Sequence, residues 1–132
     1  MIKLLLDPNV TVICAGGGGI PVIRKLDGSL IGVEAVIGKD RSSDLLAQSL
    51  DAQMLLTDVD AVHADWGTSE PRPIRSLTPD EIYQHHFTSG SMGPKVEAAY
   101  SYASNSEGIS AIGTLEDALD IVNGSKGTRI SR

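Results

Sequence analysis

The run Gly90-Ser91-Met92-Gly93-Pro94-Lys95 sets a lysine directly after a proline, at the start of a helical pattern. Proline is pre-organised for the first helical turn, and its missing N–H costs nothing there. Val96, Ala99, Tyr100 and Ala103 follow at i, i+3, i+4 and i+7, so this helix has one apolar face. Its N-terminus presents unpaired N–H groups and a positive dipole end, and Lys95 adds a full charge. Such a place can hold an anion, above all a phosphate. The same residues would also serve an ordinary helix start with a solvated lysine.

A second chemistry-bearing stretch is Gly16-Gly17-Gly18-Gly19, directly after the apolar run Val10–Ala15. Four adjacent glycines lose much backbone entropy on folding, a large cost for a mere turn. They are read as a loop whose backbone approaches a ligand. The loop is no dinucleotide fingerprint, because its third glycine would fall on Pro21, and no Gly-Lys-Ser/Thr of a phosphate-binding P-loop occurs. Asp58 and Asp60 stand just past the end of a short apolar strand, where ligands gather in open α/β sheets. Two carboxylates without a third ligand are weak evidence for a metal, and no metal ligands are assigned. Asp40 suits the N-cap of a helix running to Leu50. His63, His85, His86 and the single Cys14 show no ligand spacing, and the histidines are read as surface residues. The Gly-x-Ser-x-Gly hydrolase signature is missing.

These residues need elements to carry them. Ile2–Leu6 reads as the last turn of a helix, and Val10–Ala15 as a strand covered on both faces. Val22–Val33 reads as a hairpin with a type I′ turn at Asp27-Gly28. A helix over 40–50 puts Leu46, Ala47 and Leu50 on one face, and Met54–Thr57 is a buried strand. Ala64–Ile74 reads as a loop. Thr78-Pro79-Asp80-Glu81 is a capping box that starts a short helix ending near His86, within a surface excursion over 76–89. After the helix Pro94–Ser104 comes a strand, Ser110–Ile112. Thr114 then caps a last helix with Leu115, Ala118, Leu119 and Val122 on one face. Gly127–Ile130 is the final strand. This order gives a layered α/β domain.

With 132 residues the chain suits one domain, and a hydrophobic share of 41% against 21% charged suits a globular one. A net charge of −6 argues against a nucleic-acid or anionic-membrane binder, which would show a basic face. One cysteine permits no internal disulfide and suits a reducing cytosol, so a cytoplasmic protein is expected. No apolar run approaches the roughly 20 residues of a membrane span.

Four stretches in this order resemble carbamate kinase: Cys14–Val22, Gly32–Asp40, Leu56–Val62 and Gly90–Ala99. Trp66-Gly67-Thr68 and Gly127–Ile130 look similar too. The resemblance covers nearly the whole chain but only the C-terminal, nucleotide-binding half of that enzyme. It implies a three-layer α/β/α sandwich with a mostly parallel sheet, as in the C-terminal half of the amino-acid kinase fold, with residues 1–132 forming one nucleotide-binding domain. The carbamate-binding N-terminal half has no counterpart here. The resemblance implies phosphoryl transfer between ATP and carbamate, or from carbamoyl phosphate to ADP, with Mg²⁺ held mainly by phosphates. By the same resemblance Lys95 would hold the phosphates, Asp40 would orient the lysines, and Lys39 would face the phosphates. Thr57, Asp58, Val59 and Asp60 would line the nucleotide, with Gly90, Ser91, Met92 and Gly93 beside it. Gly16–Gly19 would border the reaction centre. A homo-oligomer is expected as well, since a sheet without its covering half invites pairing.

Overall fold

The computed structural model describes residues 2–7, 10–56, 59–82 and 92–132. Its elements in chain order are α1 (Ile2–Leu6), β1 (Val22–Arg24), β2 (Leu30–Gly32), α2 (Lys39–Leu50), β3 (Met54–Leu56), β4 (Val62–Ala64), β5 (Arg72–Ile74), β6 (Ser76–Leu77), α3 (Pro79–Ile82), α4 (Met92–Asn105), β7 (Ser110–Ile112), a 3₁₀ turn (Leu115–Asp117), α5 (Ala118–Val122) and β8 (Thr128–Ile130). The main sheet has the order β3-β7-β8-β6. β3 runs parallel to β7 and β6 parallel to β8, while β7 and β8 are antiparallel. The fold is therefore mixed α/β with a sheet rich in parallel pairs, as the order of elements implied.

Helices α2 and α4 pack on each other and on the sheet. Val96, Ala99, Tyr102 and Ala103 of α4 join Ile112, Ile130, Leu77 and Leu56 of the sheet in one core. Small residues on α4 let the helix sit close, and the hydroxyl of Ser110 on β7 donates to the Ala99 carbonyl at 2.8 Å. The Tyr102 ring is fully buried, and its hydroxyl donates to the Ala52 carbonyl. Both of these buried hydroxyls thus carry a partner, as burial of a polar group demands.

The two small hairpins lie outside the main sheet. In the first, Val22 pairs with Gly32 and Arg24 with Leu30. Its turn is not type I′. The Gly28 N–H donates to the Lys25 carbonyl, and of the loop residues only Gly28 takes a positive φ, 84°. That is a β-turn closed by a left-handed glycine, the longer alternative to a two-residue turn. Asp27 fixes it by accepting from the Ser29 N–H at 2.9 Å and the Ser29 hydroxyl at 2.6 Å. Those bonds hold the Asp27 carboxyl below its ordinary pKa.

Several expectations are corrected. Val10–Ala15 is not a strand and is not covered: it has no ladder partner among the described residues, Ala15 takes φ 58°, and Ile13 is 95% exposed. A strand buried on both faces needs neighbours on two sides, and no described element supplies them. The expected loop over 64–74 contains β5 and the last residue of β4, which pair as a hairpin with His63 opposite Pro73, a residue confined to sheet edges. Ser76–Leu77 is no surface excursion, because it enters the main sheet and Leu77 and Ile82 are core residues. The last helix buries Ile121, whereas Leu115, Leu119 and Val122 are exposed. Its first turn is 3₁₀, with three residues per turn, so an α-helical register counted from Leu115 does not hold.

Candidate functional site

α2 begins at Lys39, one residue earlier than read from sequence, and its N-cap is Gly38, which makes no side-chain cap bond. Asp40 is therefore not a cap. It sits in the first turn, where a carboxylate favours the helix dipole. α4 begins at Met92, so Pro94 is its third residue, still within the turn whose N–H groups have no helical acceptor. Lys95 belongs to that same turn. The anchoring of α4 by Ser110 and its small apolar face brings the two helix starts together. The ammonium of Lys95 lies 3.6 Å from Oδ2 of Asp40, with side chains only 14% and 28% exposed. Two groups 55 positions apart in sequence thus form a half-buried ion pair at the junction of two helix N-termini. Lys39, exposed, is next to it on α2.

The glycine loop comes to the same place. Gly18 takes φ +87°, and a Cβ there would fall 2.2 Å from the Ile37 carbonyl oxygen. A Cβ on Gly19 would fall 3.2 Å from the Ser42 hydroxyl. The second half of the loop therefore lies against the start of α2, and at Gly18 the approach is one that only glycine allows. Gly16 and Gly17 face open space. A cavity of about 290 Å³ opens between α2 and α4, lined among others by Gly38, Asp40, Asp44, Pro94 and Glu97.

Of the remaining expected nucleotide-lining residues, Thr57, Asp58, Gly90 and Ser91 lie outside the described residues. Val59 and Met92 pack against the core, and Gly93 lies in the first turn of α4. Asp60 accepts from Nε2 of His63 at 3.1 Å. His63 is not a surface residue: its side chain is 13% exposed and its ring meets Trp66 edge-on at 5.6 Å. Among the described residues no three His, Cys, Asp or Glu side chains gather as a metal site. No helix among them is long and apolar enough to cross a membrane.

Three positioning residues were not singled out from sequence. Asp44 is buried in α2 and accepts from Gln48 Nε2 at 2.6 Å, an i, i+4 pair visible only once the helix register is known. Ser110 holds α4 as described. Thr128 is fully buried: its hydroxyl accepts from the Val62 N–H at 2.7 Å and donates to the Ile74 carbonyl at 2.6 Å. It pins the β4–β5 hairpin, and with it the chain leading from Asp60, to the main sheet.

Residues 1–112 match the amino acid kinase family. The chain belongs to that family. Among curated members it is 47% identical over 133 residues to carbamate kinase of Haemophilus influenzae, covering 99% of this chain and 43% of that protein. It is 46% identical over 134 residues to carbamate kinase of Rhizobium meliloti, with 98% and 41% covered. Among solved structures it is similar to a carbamate kinase from Giardia lamblia bound to AMP-PNP. That similarity has TM-score 0.86 and 40% identity, covering 99% of this chain and 48% of that one. This amino acid kinase family chain therefore spans less than half the length of the relatives it matches.

Proposed function

We propose that residues 1–132 form the C-terminal, nucleotide-binding domain of a carbamate kinase-like protein. In this reading Lys95 holds the phosphates of ATP or ADP and stabilises the phosphoryl group as it moves between nucleotide and carbamate. The observation that carries it is the Lys95–Asp40 pair at 3.6 Å, set where the N-termini of α2 and α4 meet. Phosphoryl transfer asks for positioning and charge neutralisation more than for covalent chemistry. A carboxylate between two ammonium groups keeps both charged and in place, which is the role given to Asp40 between Lys95 and Lys39. Helix N–H groups and dipole ends add to the attraction for a triphosphate.

Thr57, Asp58, Val59 and Asp60 would line the nucleotide from the end of β3, and Gly90 to Gly93 would line it from the start of α4. Gly16 to Gly19 would close the reaction centre above α2. The neighbour in the solved structures that holds AMP-PNP supports a nucleotide as ligand. With no ligand cluster among the described residues, Mg²⁺ would travel on the phosphate oxygens, and no role assigned here depends on it. Contacts to carbamate would come from the part of the relatives that this chain does not span. The purified chain alone is thus expected to bind nucleotide without making ATP from ADP and carbamoyl phosphate.

Titration calorimetry with ADP and AMP-PNP tests this. Wild-type chain should bind both, and Lys95→Ala should weaken binding by about 10- to 100-fold, the worth of one charged hydrogen-bond partner. Equal affinity of the two proteins, or no binding by the wild type, would overturn the assignment.

A further inference from the structure

The cavity of about 290 Å³ between α2 and α4 is acidic on balance. Asp40, Asp44 and Glu97 bring three carboxylates to it, against one basic lining residue, Arg41. Two of the three charges are answered. Asp40 holds Lys95 at 3.6 Å, and Glu97 is exposed to water. Asp44 is not answered. It is only 2% exposed, and its Oδ1 accepts from the Gln48 amide at 2.6 Å. That is the one hydrogen bond of its carboxylate, so Oδ2 has no partner. No described lysine, arginine or histidine forms an ion pair with it, not even Arg41 one turn earlier on the same helix. A carboxylate taken out of water is strongly destabilising unless a cation or further hydrogen bonds meet it. This one stands at the wall of a cavity that a cation can enter.

The kind of cation follows from the rest of the lining. A hard metal ion asks for several converging oxygens, and among the described residues no three suitable side chains gather. The volume is nearer to that of a small-molecule pocket than to an ion site. Leu45 and Ala98 add apolar surface beside the acids, which an aliphatic chain would cover. We propose that this cavity binds a small organic cation, an ammonium or guanidinium group on a short aliphatic stem, with its head group on Oδ2 of Asp44 and its stem along Leu45 and Ala98. The proposal uses neither the nucleotide nor the phosphoryl-transfer reading.

Amide NMR of the whole chain, without nucleotide, tests it with butylguanidine and 1,4-diaminobutane as probes and butyrate as the anionic control. Both cations should give saturable shifts at Asp44, Leu45 and Ala98, and butyrate none. Asp44→Asn keeps an oxygen for the Gln48 amide but removes the charge, so it should weaken both cations by about 10- to 100-fold. Glu97→Lys changes an exposed position and sets a competing ammonium at the cavity. It should weaken them too, and it carries the test if Asp44→Asn does not fold. Absence of saturable shifts in the wild type would overturn the proposal. So would affinity unchanged in the variants, which would mean general attraction to a chain of net charge −6. Displacement of the probes by Mg²⁺ or Ca²⁺ at equal concentration would also overturn it, in favour of a metal site.

Discussion

Two regions of this chain obey opposite rules. From Lys39 onward, apolar residues close around α4 and the sheet, and the buried hydroxyls of Tyr102, Ser110 and Thr128 each find a partner. Before it, residues of the same apolar type lie in water. Val10–Ala15 and Ser110–Ile112 make the contrast concrete. Both are short runs rich in apolar residues, but one ends paired on both edges and the other unpaired. Composition cannot tell them apart. What differs is whether the described residues supply neighbouring strands.

Mutations should divide along the same line. Ile112→Ala, at a position with no exposure, should destabilise the chain by about 2–5 kcal/mol in urea melts. Ile13→Asp should change stability by no more than about 0.5 kcal/mol, because it moves no buried group. Equal costs would erase the distinction between the regions. A smaller effect is expected at Thr128→Val, which keeps the shape but leaves the Val62 N–H and the Ile74 carbonyl unpaired. The cost should be about 1–3 kcal/mol, with faster amide exchange at Val62.

The smallest effect concerns charge. Lys126 bonds Asp117 at 2.6 Å and Asp120 at 3.3 Å near the end of α5. Asp117 is held below its ordinary value of 3.8, mainly by Lys126 and then by the Thr114 hydroxyl. Its contribution is present above that value and is lost as pH falls through the lower folded value. Lys126 is raised above 10.5 by Asp117 and then Asp120, so its contribution is complete below 10.5 and lost as pH rises beyond the folded value. Thermal melts of Lys126→Met against wild type should differ slightly between those limits and converge outside them, and salt should shrink the difference.

Local chemistry made much of the second region legible in advance. The capping box at Thr78 is there, with the Thr78 N–H on the Glu81 carboxylate at 2.8 Å and the Glu81 N–H returning to the Thr78 hydroxyl. The strands at Met54 and Ser110 and the helix over Lys95 were equally readable from periodicity. The juxtaposition of Lys95 and Asp40 was not. No local rule links positions so far apart, and only the resemblance of their flanking motifs paired them. Asp40 alone reads as a cap, and its place in the first turn depends on a one-residue shift of the helix start. The open face of Val10–Ala15 was misread because burial belongs to the whole assembly of neighbours, not to the segment.

The Thr128 hydroxyl has a kinetic consequence. It meets Val62 across 66 residues of chain, so the bond forms only after the intervening polypeptide has been brought back on itself. Such a late, distant closure belongs to the slow end of folding. A nascent chain emerging from the ribosome would hold its β4–β5 hairpin without this fastening until Thr128 had been made and had left the exit tunnel.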